Sequence, residues 1–287
     1  VISGGHRLKA SSTAVTVGRG GFMPQHRYTH GHHESVLRSH VWRTAENSAA
    51  YLLPELRPGL SLLDVGCGPG TITLDLAERV APGRVLGIDQ SRAALDAAQS
   101  ASPPESSVEF AVGDIYALDV PDRSFDVVHA HQVLQHLLDP VEALRQMRRV
   151  CAAGGVVAAR DADYAAMTWF PEVPALDRWL QLYEAVARSN GGEPDAGRRL
   201  LRWAREAGFD DVRATASVWC YADEESRAWW GGMWSDRIVS SAMAEQVVAD
   251  GLSTTEELRE LSDGWREWAA APDGWFTVLH GEILCRL

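Results

Sequence analysis

Three glycines in five residues, Gly66, Gly68 and Gly70, end the apolar stretch Leu60-Ser61-Leu62-Leu63-Asp64-Val65. Glycine tolerates positive φ and carries no Cβ, so a loop of this kind can reverse the chain and let a ligand approach the main chain. Phosphate-loop chemistry needs Lys and then Ser or Thr directly after the last glycine, and here Thr71 follows Gly70, which argues against nucleotide hydrolysis. A dinucleotide fingerprint needs a third small residue three places past the second glycine, and the β-branched Thr71 falls on that pattern instead. Asp89 lies about twenty residues past the loop, the spacing at which a doubly wound unit brings a carboxylate to ribose hydroxyls.

These residues need elements to hold them. The run Leu60–Val65 reads as a buried strand and Thr71–Val80 as a helix, joined by the glycine turn. Arg84–Ile88, Val108–Val112, Phe125–His129 and Val156–Arg160 read as further strands, each delivering polar or small residues at its carboxyl end. These are Asp89, then Gly113-Asp114-Ile115, then Ala130-His131-Gln132, then Asp161-Ala162-Asp163. Asp139-Pro140-Val141-Glu142 is a helix-start signal, and Gly154-Gly155 is expected to end the helix it begins. Upstream, Val36, Leu37, His40, Val41, Thr44 and Ala45 are spaced for a helix that stops before Pro54. Downstream come a helix over Asp195–Ala207, an alternating strand over Asp211–Tyr221, a helical stretch over Glu224–Ala271 and a last strand over Trp275–Leu287.

The segment Leu62-Leu63-Asp64-Val65-Gly66-Cys67-Gly68-Pro69-Gly70-Thr71 closely resembles the first motif of the class I S-adenosylmethionine (SAM) dependent methyltransferases, of the type found in ubiquinone and menaquinone biosynthesis. The resemblance covers Leu60 to Asp161. It implies an α/β fold: a doubly wound, Rossmann-like seven-stranded methyltransferase sheet with an antiparallel last strand and helical lid insertions. It also implies cofactor contacts. Gly66, Cys67, Gly68 and Gly70 would lie under the methionine part of SAM, with Asp64 at its amino group and Ala130 and His131 on the same side. Asp89, with Gln90 beside it, would accept from both ribose hydroxyls, Asp114 from the adenine amine, and Ile115 would meet the ring. Arg43, about twenty residues before the motif, would hold the SAM carboxylate or else be a solvated arginine of a surface helix; apart from the resemblance, Tyr28 or a tryptophan facing the sulfonium would add a cation-π contact. The implied organisation is a disordered leader over residues 1–22, N-terminal cap helices over 23–58 and a SAM-binding core over 59–222 with an insertion at about 162–194. A helical lid insertion over 223–272 and the last core strand over 273–287 complete it.

Composition narrows the substrate. The formal net charge of −12 repels a phosphate backbone, which argues against nucleic acid. The four cysteines are far apart without a C-x-x-C, and no apolar run approaches the ~20 residues of a membrane span. A soluble, cytoplasmic protein is expected, with its oligomeric state left open. Ten of the eleven tryptophans follow residue 160, which assigns the aromatic residues to the substrate side.

Methyl transfer from SAM is accelerated mainly by alignment and exclusion of water, together worth about 7 to 11 kcal/mol at best. A general base is optional. His131 is the first candidate, since it follows the fourth strand where donor and acceptor meet; His33 and Asp161 come next, with His32. His136 reads as a packed residue. Trp230 and Trp234 share a helix face and could be core or substrate wall. The cluster His26, His30, His32, His33 and Glu34 has metal-ligand chemistry. It fits better as a lid before the first helix, so no metal is expected. The leading expectation is methylation of O, N or C on a small aromatic or polyketide-like metabolite. The alternatives are a SAM-binding protein of this fold with other chemistry, such as decarboxylation or cyclisation, and a non-catalytic SAM- or metal-binding scaffold.

Overall fold

The computed structural model describes residues 42–104 and 106–287. Tyr28, His26, His30, His32, His33, the leader expected over residues 1–22 and most of the expected cap segment lie outside the described residues.

The strands are β1 (Leu62–Val65), β2 (Val85–Asp89), β3 (Val108–Val112), β4 (Phe125–His131), β5 (Cys151–Ala162), β6 (Thr168–Phe170), β7 (Asp211–Tyr221) and β8 (Trp275–Arg286). The sheet runs β3-β2-β1-β4-β5-β8, with the first five strands parallel and β8 antiparallel to β5. β7 covers one flank of β8 over Phe276–Arg286. The short β6 pairs with Trp275–Thr277, past the end of β5, so it shares the other flank and adds an eighth strand to the seven expected.

Helices flank the sheet: α1 (Ala45–Ser48), α2 (Thr71–Val80), α3 (Arg92–Ala101), α4 (Pro140–Val150), α5 (Pro174–Ser189), α6 (Leu200–Glu206), α7 (Glu224–Ser240), α8 (Ala242–Ala249) and α9 (Thr255–Ala270). One core packs α4 and α6 on Leu63, Val128, Ala130 and Val157; on the opposite face Ile72, Leu76 and Val80 of α2 meet Leu62, Val127 and Ala158. A separate core, built on Trp179, Trp230, Trp234, Trp265, Trp268 and Phe276, joins α5, α7, α8 and α9 to the far end of β7 and β8.

Four boundaries differ from the sequence reading. No helix runs through Thr44, which is instead the extended N-cap of α1: its hydroxyl accepts from Asn47 N, and Asn47 caps it in return. α4 ends at Val150, before Gly154-Gly155, because those glycines lie inside β5. There the register against β4 jumps from Phe125↔Cys151 to Val127↔Val156, and Gly154 has φ +77°. That is a bulge, where glycine is also favoured. β4 extends two residues past His129, and the helix expected over Asp195–Ala207 is a 3-10 turn at Gly197–Arg199 leading into α6.

Candidate active site

A cavity of about 630 Å³ opens at the carboxyl ends of β1, β2 and β4, where open α/β sheets bind their ligands. Its floor at one end is the glycine loop. Gly66, Gly68 and Gly70 have φ of +70°, +55° and +80°, a region other residues enter only under strain. A Cβ on Gly66 would lie 2.4 Å from Val133 Cγ2, and one on Gly70 would lie 2.9 Å from both Ala98 and Phe110. At these two positions the missing side chain makes room for protein packing. Gly66 and Gly68 line the cavity with Cys67, whereas Gly70 lies off the wall against α3 and β3. Burial, with Asp64 and Asp89 nearby, pushes the Cys67 thiol far up, so it stays protonated.

Two carboxylates are fixed at this end. Asp64 is buried in β1; its Oδ2 accepts from Thr73 Oγ1 (2.5 Å) and its Oδ1 from His129 Nδ1 (2.8 Å). Asp89 closes β2; its Oδ2 accepts from Gly68 N (2.9 Å) and its Oδ1 from Ser91 N (2.8 Å). A carboxylate offers about four lone-pair sites, so each retains acceptor capacity for a ligand. Both line the cavity, as do Gln90, Gly113 and Ile115.

At the other end the wall is aromatic, with Trp219, Tyr221, Trp229, Trp230 and Trp234, and Trp42 docked on Trp219 and Trp229 at 5.1 and 5.3 Å between ring centres. Trp230 and Trp234 also belong to the second core, so they serve both as packing and as wall. His131 stands between the two ends. It is the last residue of β4, is 6% exposed, and neither ring nitrogen has a hydrogen-bond partner. Burial first, then Arg160 and Arg43, hold its pKa well below the ordinary value, so the imidazole is neutral.

Arg43 reaches the wall from the N-terminal side. Its Nη2 donates to Gln132 Oε1 (2.6 Å), and its guanidinium lies 5.7 Å from the Trp219 ring centre. His136 is half-buried with its Nε2 3.1 Å from Gln135 Nε2, in keeping with a hydrogen-bonded residue, and it also lines the cavity.

Besides Gly70, three expected positions lie elsewhere. Ala130 is fully buried on the opposite face of β4 and packs in the first core, because alternation along a strand that continues to His131 turns it away. Asp114 is exposed; its Oδ1 accepts from Tyr116 N, capping a turn outside the wall. Asp161 is fully buried behind the loop that follows β4, where its Oδ1 accepts from Gln135 N (3.0 Å). Burial raises its pKa to about 7 against the pull of neighbouring amides and Arg160. It anchors that loop and does not touch the cavity. Gln132, Trp219 and His280 were not singled out from sequence. Gln132 follows the expected strand end, but it and His280 lie 148 residues apart in the chain, and local pattern carries no sign of their contact. Among the described residues no cluster of three or more His, Cys, Asp or Glu is arranged for a metal ion, and no helix is long and apolar enough to cross a membrane.

Comparison with known proteins agrees with this geometry. A family model described as a methyltransferase domain matches residues 56–208. An uncharacterized methyltransferase of Schizosaccharomyces pombe is 34% identical over 267 residues, covering 90% of this chain and 95% of its own. Among solved structures, the YcgJ protein of Bacillus subtilis superposes with a TM-score of 0.55 at 19% identity, over 84% of this chain and 98% of its own. A phosphoethanolamine N-methyltransferase 2 of Haemonchus contortus, solved with phosphomonomethylethanolamine and S-adenosylhomocysteine, gives 0.53 at 17% identity, over 83% of this chain and 52% of its own.

Proposed function

Since the chain belongs to the SAM-dependent methyltransferases, we propose that it methylates an O, N or C atom of a small, largely apolar aromatic or polyketide-like metabolite, and that it does so in the cytoplasm as part of secondary metabolism. The observation that carries this reading is that one cavity joins the glycine loop and its two carboxylates to a tryptophan-lined compartment, with His131 between them. An acidic chain and a concave, aromatic compartment favour a small molecule over a nucleic acid.

SAM supplies an electrophilic methyl group on a sulfonium sulfur. The residues at the loop end fit such a cofactor: left-handed glycines bring the main chain to the wall, and two carboxylates stand there with acceptor capacity left. In our reading Asp89 and Gln90 hold the ribose, Asp64 the amino group, Arg43 the carboxylate, and Gly113 and Ile115 the base. The aromatic walls exclude water and orient the acceptor, and alignment of this kind contributes up to about 7 to 11 kcal/mol.

His131 is the group best placed to handle the acceptor's proton. Its neutral imidazole can accept a hydrogen bond from a hydroxyl. With its pKa depressed by burial and two guanidinium groups, it is a weak base, which suits an acceptor that ionises readily.

The test is release of S-adenosylhomocysteine from SAM with a panel of phenols, enols and aromatic amines. Turnover with an aromatic acceptor is expected. Tight SAM binding without turnover on any member, or turnover only with acyclic polar acceptors, would remove the aromatic assignment.

A further inference from the structure

Gln132 is the residue immediately after β4 and lines the cavity. Its φ is +52°, one of two positive values among the described non-glycine residues. That conformation disfavours a Cβ-bearing residue such as Gln, and Gly or Asn would occupy it with less strain. A long side chain at a strained backbone position points to a use for that side chain.

Both ends of the amide are engaged. Gln132 Oε1 accepts from Arg43 Nη2 at 2.6 Å, and Gln132 Nε2 lies 2.8 Å from His280 Nε2. His280 is fully buried in β8, and its Nδ1 lies 3.1 Å from Val278 O. A carbonyl only accepts, so Nδ1 carries the proton and Nε2 presents its lone pair to the Gln132 NH₂ group. The amide then has one orientation, with its oxygen toward Arg43. Reversing it would set two donors against each other at Arg43 and two lone pairs against each other at His280. The Gln132 backbone is pinned as well, its N donating to Arg160 O at 2.7 Å. Burial, with Arg160 and Arg43 nearby, keeps His280 neutral and so keeps Nε2 an acceptor.

We infer that Gln132 is a positioning residue for the cofactor: locked by His280, its amide orients the Arg43 guanidinium toward the carboxylate of bound SAM. This rests on the reading of Arg43 given above, but it adds two residues, Gln132 and His280, that act through Arg43. It also explains why the strained position carries Gln, since Gly has no side chain to offer and Asn is one methylene too short to span Arg43 and His280.

The experiment compares the wild type with Q132G, Q132N and Arg43→Met in the full chain. Calorimetry is run with two nucleosides, S-adenosylhomocysteine and 5′-methylthioadenosine, the second of which lacks the amino-acid carboxylate. Both Gln132 variants are expected to bind S-adenosylhomocysteine at least about tenfold more weakly and 5′-methylthioadenosine unchanged; in stability, relief of the left-handed strain is opposed by loss of the partner of buried His280 Nε2, so the discriminating readout is the selectivity between the two nucleosides. A merely structural Gln132 would instead weaken both ligands together, and that result overturns the inference. So does unchanged affinity for both. Selective loss in Arg43→Met with silent Gln132 variants removes the inference and leaves Arg43 standing. Unchanged S-adenosylhomocysteine affinity in Arg43→Met removes the Arg43 assignment and this inference with it.

Discussion

Arg160 on β5 and Glu282 on β8 are direct cross-strand partners in the interior of the sheet, with Arg160 Nε 3.4 Å from Glu282 Oε1 and both side chains almost fully buried. Glu282 also accepts from Thr215 Oγ1 (2.7 Å) and Ser217 Oγ, whereas Nη1 and Nη2 of Arg160 have no hydrogen-bond partner. Burial lowers the Arg160 pKa to about 10 although Glu282 opposes the shift, so the guanidinium remains charged at neutral pH. Its face lies 4.8 Å from the Trp219 ring centre, which links this pair to the cavity wall.

A buried pair of this kind gains little over an apolar replacement, but removing one partner strands the other charge. Arg160→Met is therefore expected to lower stability by about 3 to 5 kcal/mol, and Arg160→Met/Glu282→Leu to recover a large part of the loss. Urea denaturation of the two variants and the wild type measures both effects. A double variant as unstable as the single one would show that the damage lies in packing against Trp219 and not in the unpaired carboxylate.

Asp89 tests the cofactor end. Each charge-assisted hydrogen bond to a ribose hydroxyl is worth about 1.5 to 3 kcal/mol, so Asp89→Ala, which removes two, should weaken SAM binding by roughly two to four orders of magnitude, at roughly 1.4 kcal/mol per tenfold. Part of that loss comes from the loop, because Asp89 also holds Gly68 N and Ser91 N. Asp89→Asn keeps an acceptor oxygen and should lose less. Equal SAM affinity for all three proteins by calorimetry would sink the ribose assignment.

The strand, glycine turn and helix from Leu60 to Val80 were legible because they form a local pattern: an apolar run, punctuation, then helical composition. What failed to show was of two kinds. Ala130 and His131 were both assigned to a loop, and one was misplaced because a strand two residues longer than drawn alternates its faces. The contacts of Gln132 with His280 and of Arg160 with Glu282 depend on the register of β8 against β5, which is fixed by long-range packing and leaves no trace in either segment alone. The aromatic wall was legible as a compositional bias toward the second half of the chain. Its division between core and cavity depends on how α7 is rotated, which a hydrophobic face rich in tryptophan does not specify.

Asp161 provides a pH test. Its folded pKa of about 7 lies above the unfolded value of about 4, so the native state binds the extra proton between those values. The contribution to stability is fully present below about pH 4 and is lost as pH rises through about 7, with an upper size of roughly 4 kcal/mol. Asp161→Asn should flatten this decline while retaining an acceptor for Gln135 N. Urea midpoints at pH 5 and pH 8 for both proteins check it, and parallel pH dependences in the two would assign the slope to other groups.

His131 and His280 are both held neutral, by burial first and then by the charges of Arg160 and Arg43. Nitrogen-resolved NMR of the imidazoles should therefore show two histidines that keep their neutral shifts from pH 8 down to pH 5.5. His131→Ala and His280→Phe assign them. Titration of the His131 signal near pH 6.5 would mean that burial, and after it the two guanidinium groups, do not depress its pKa, and would restore it as an ordinary general base.

The tryptophans should separate by position. Trp265 is fully buried among Trp179, Trp234, Trp268 and Phe276 and lies off the cavity, so Trp265→Ala removes core contacts and should cost about 3 to 5 kcal/mol of stability. Trp229 is only partly buried, lines the cavity and touches Trp42, Tyr221 and Trp230. Its removal should cost less stability but open the aromatic compartment. With 1-naphthol as a probe in the presence of saturating S-adenosylhomocysteine, Trp229→Ala is expected to bind the probe several-fold more weakly at unchanged affinity for the nucleoside. Unaltered probe binding in Trp229→Ala would move the acceptor away from the aromatic wall, and a parallel loss of nucleoside affinity would show that the wall supports the cofactor instead.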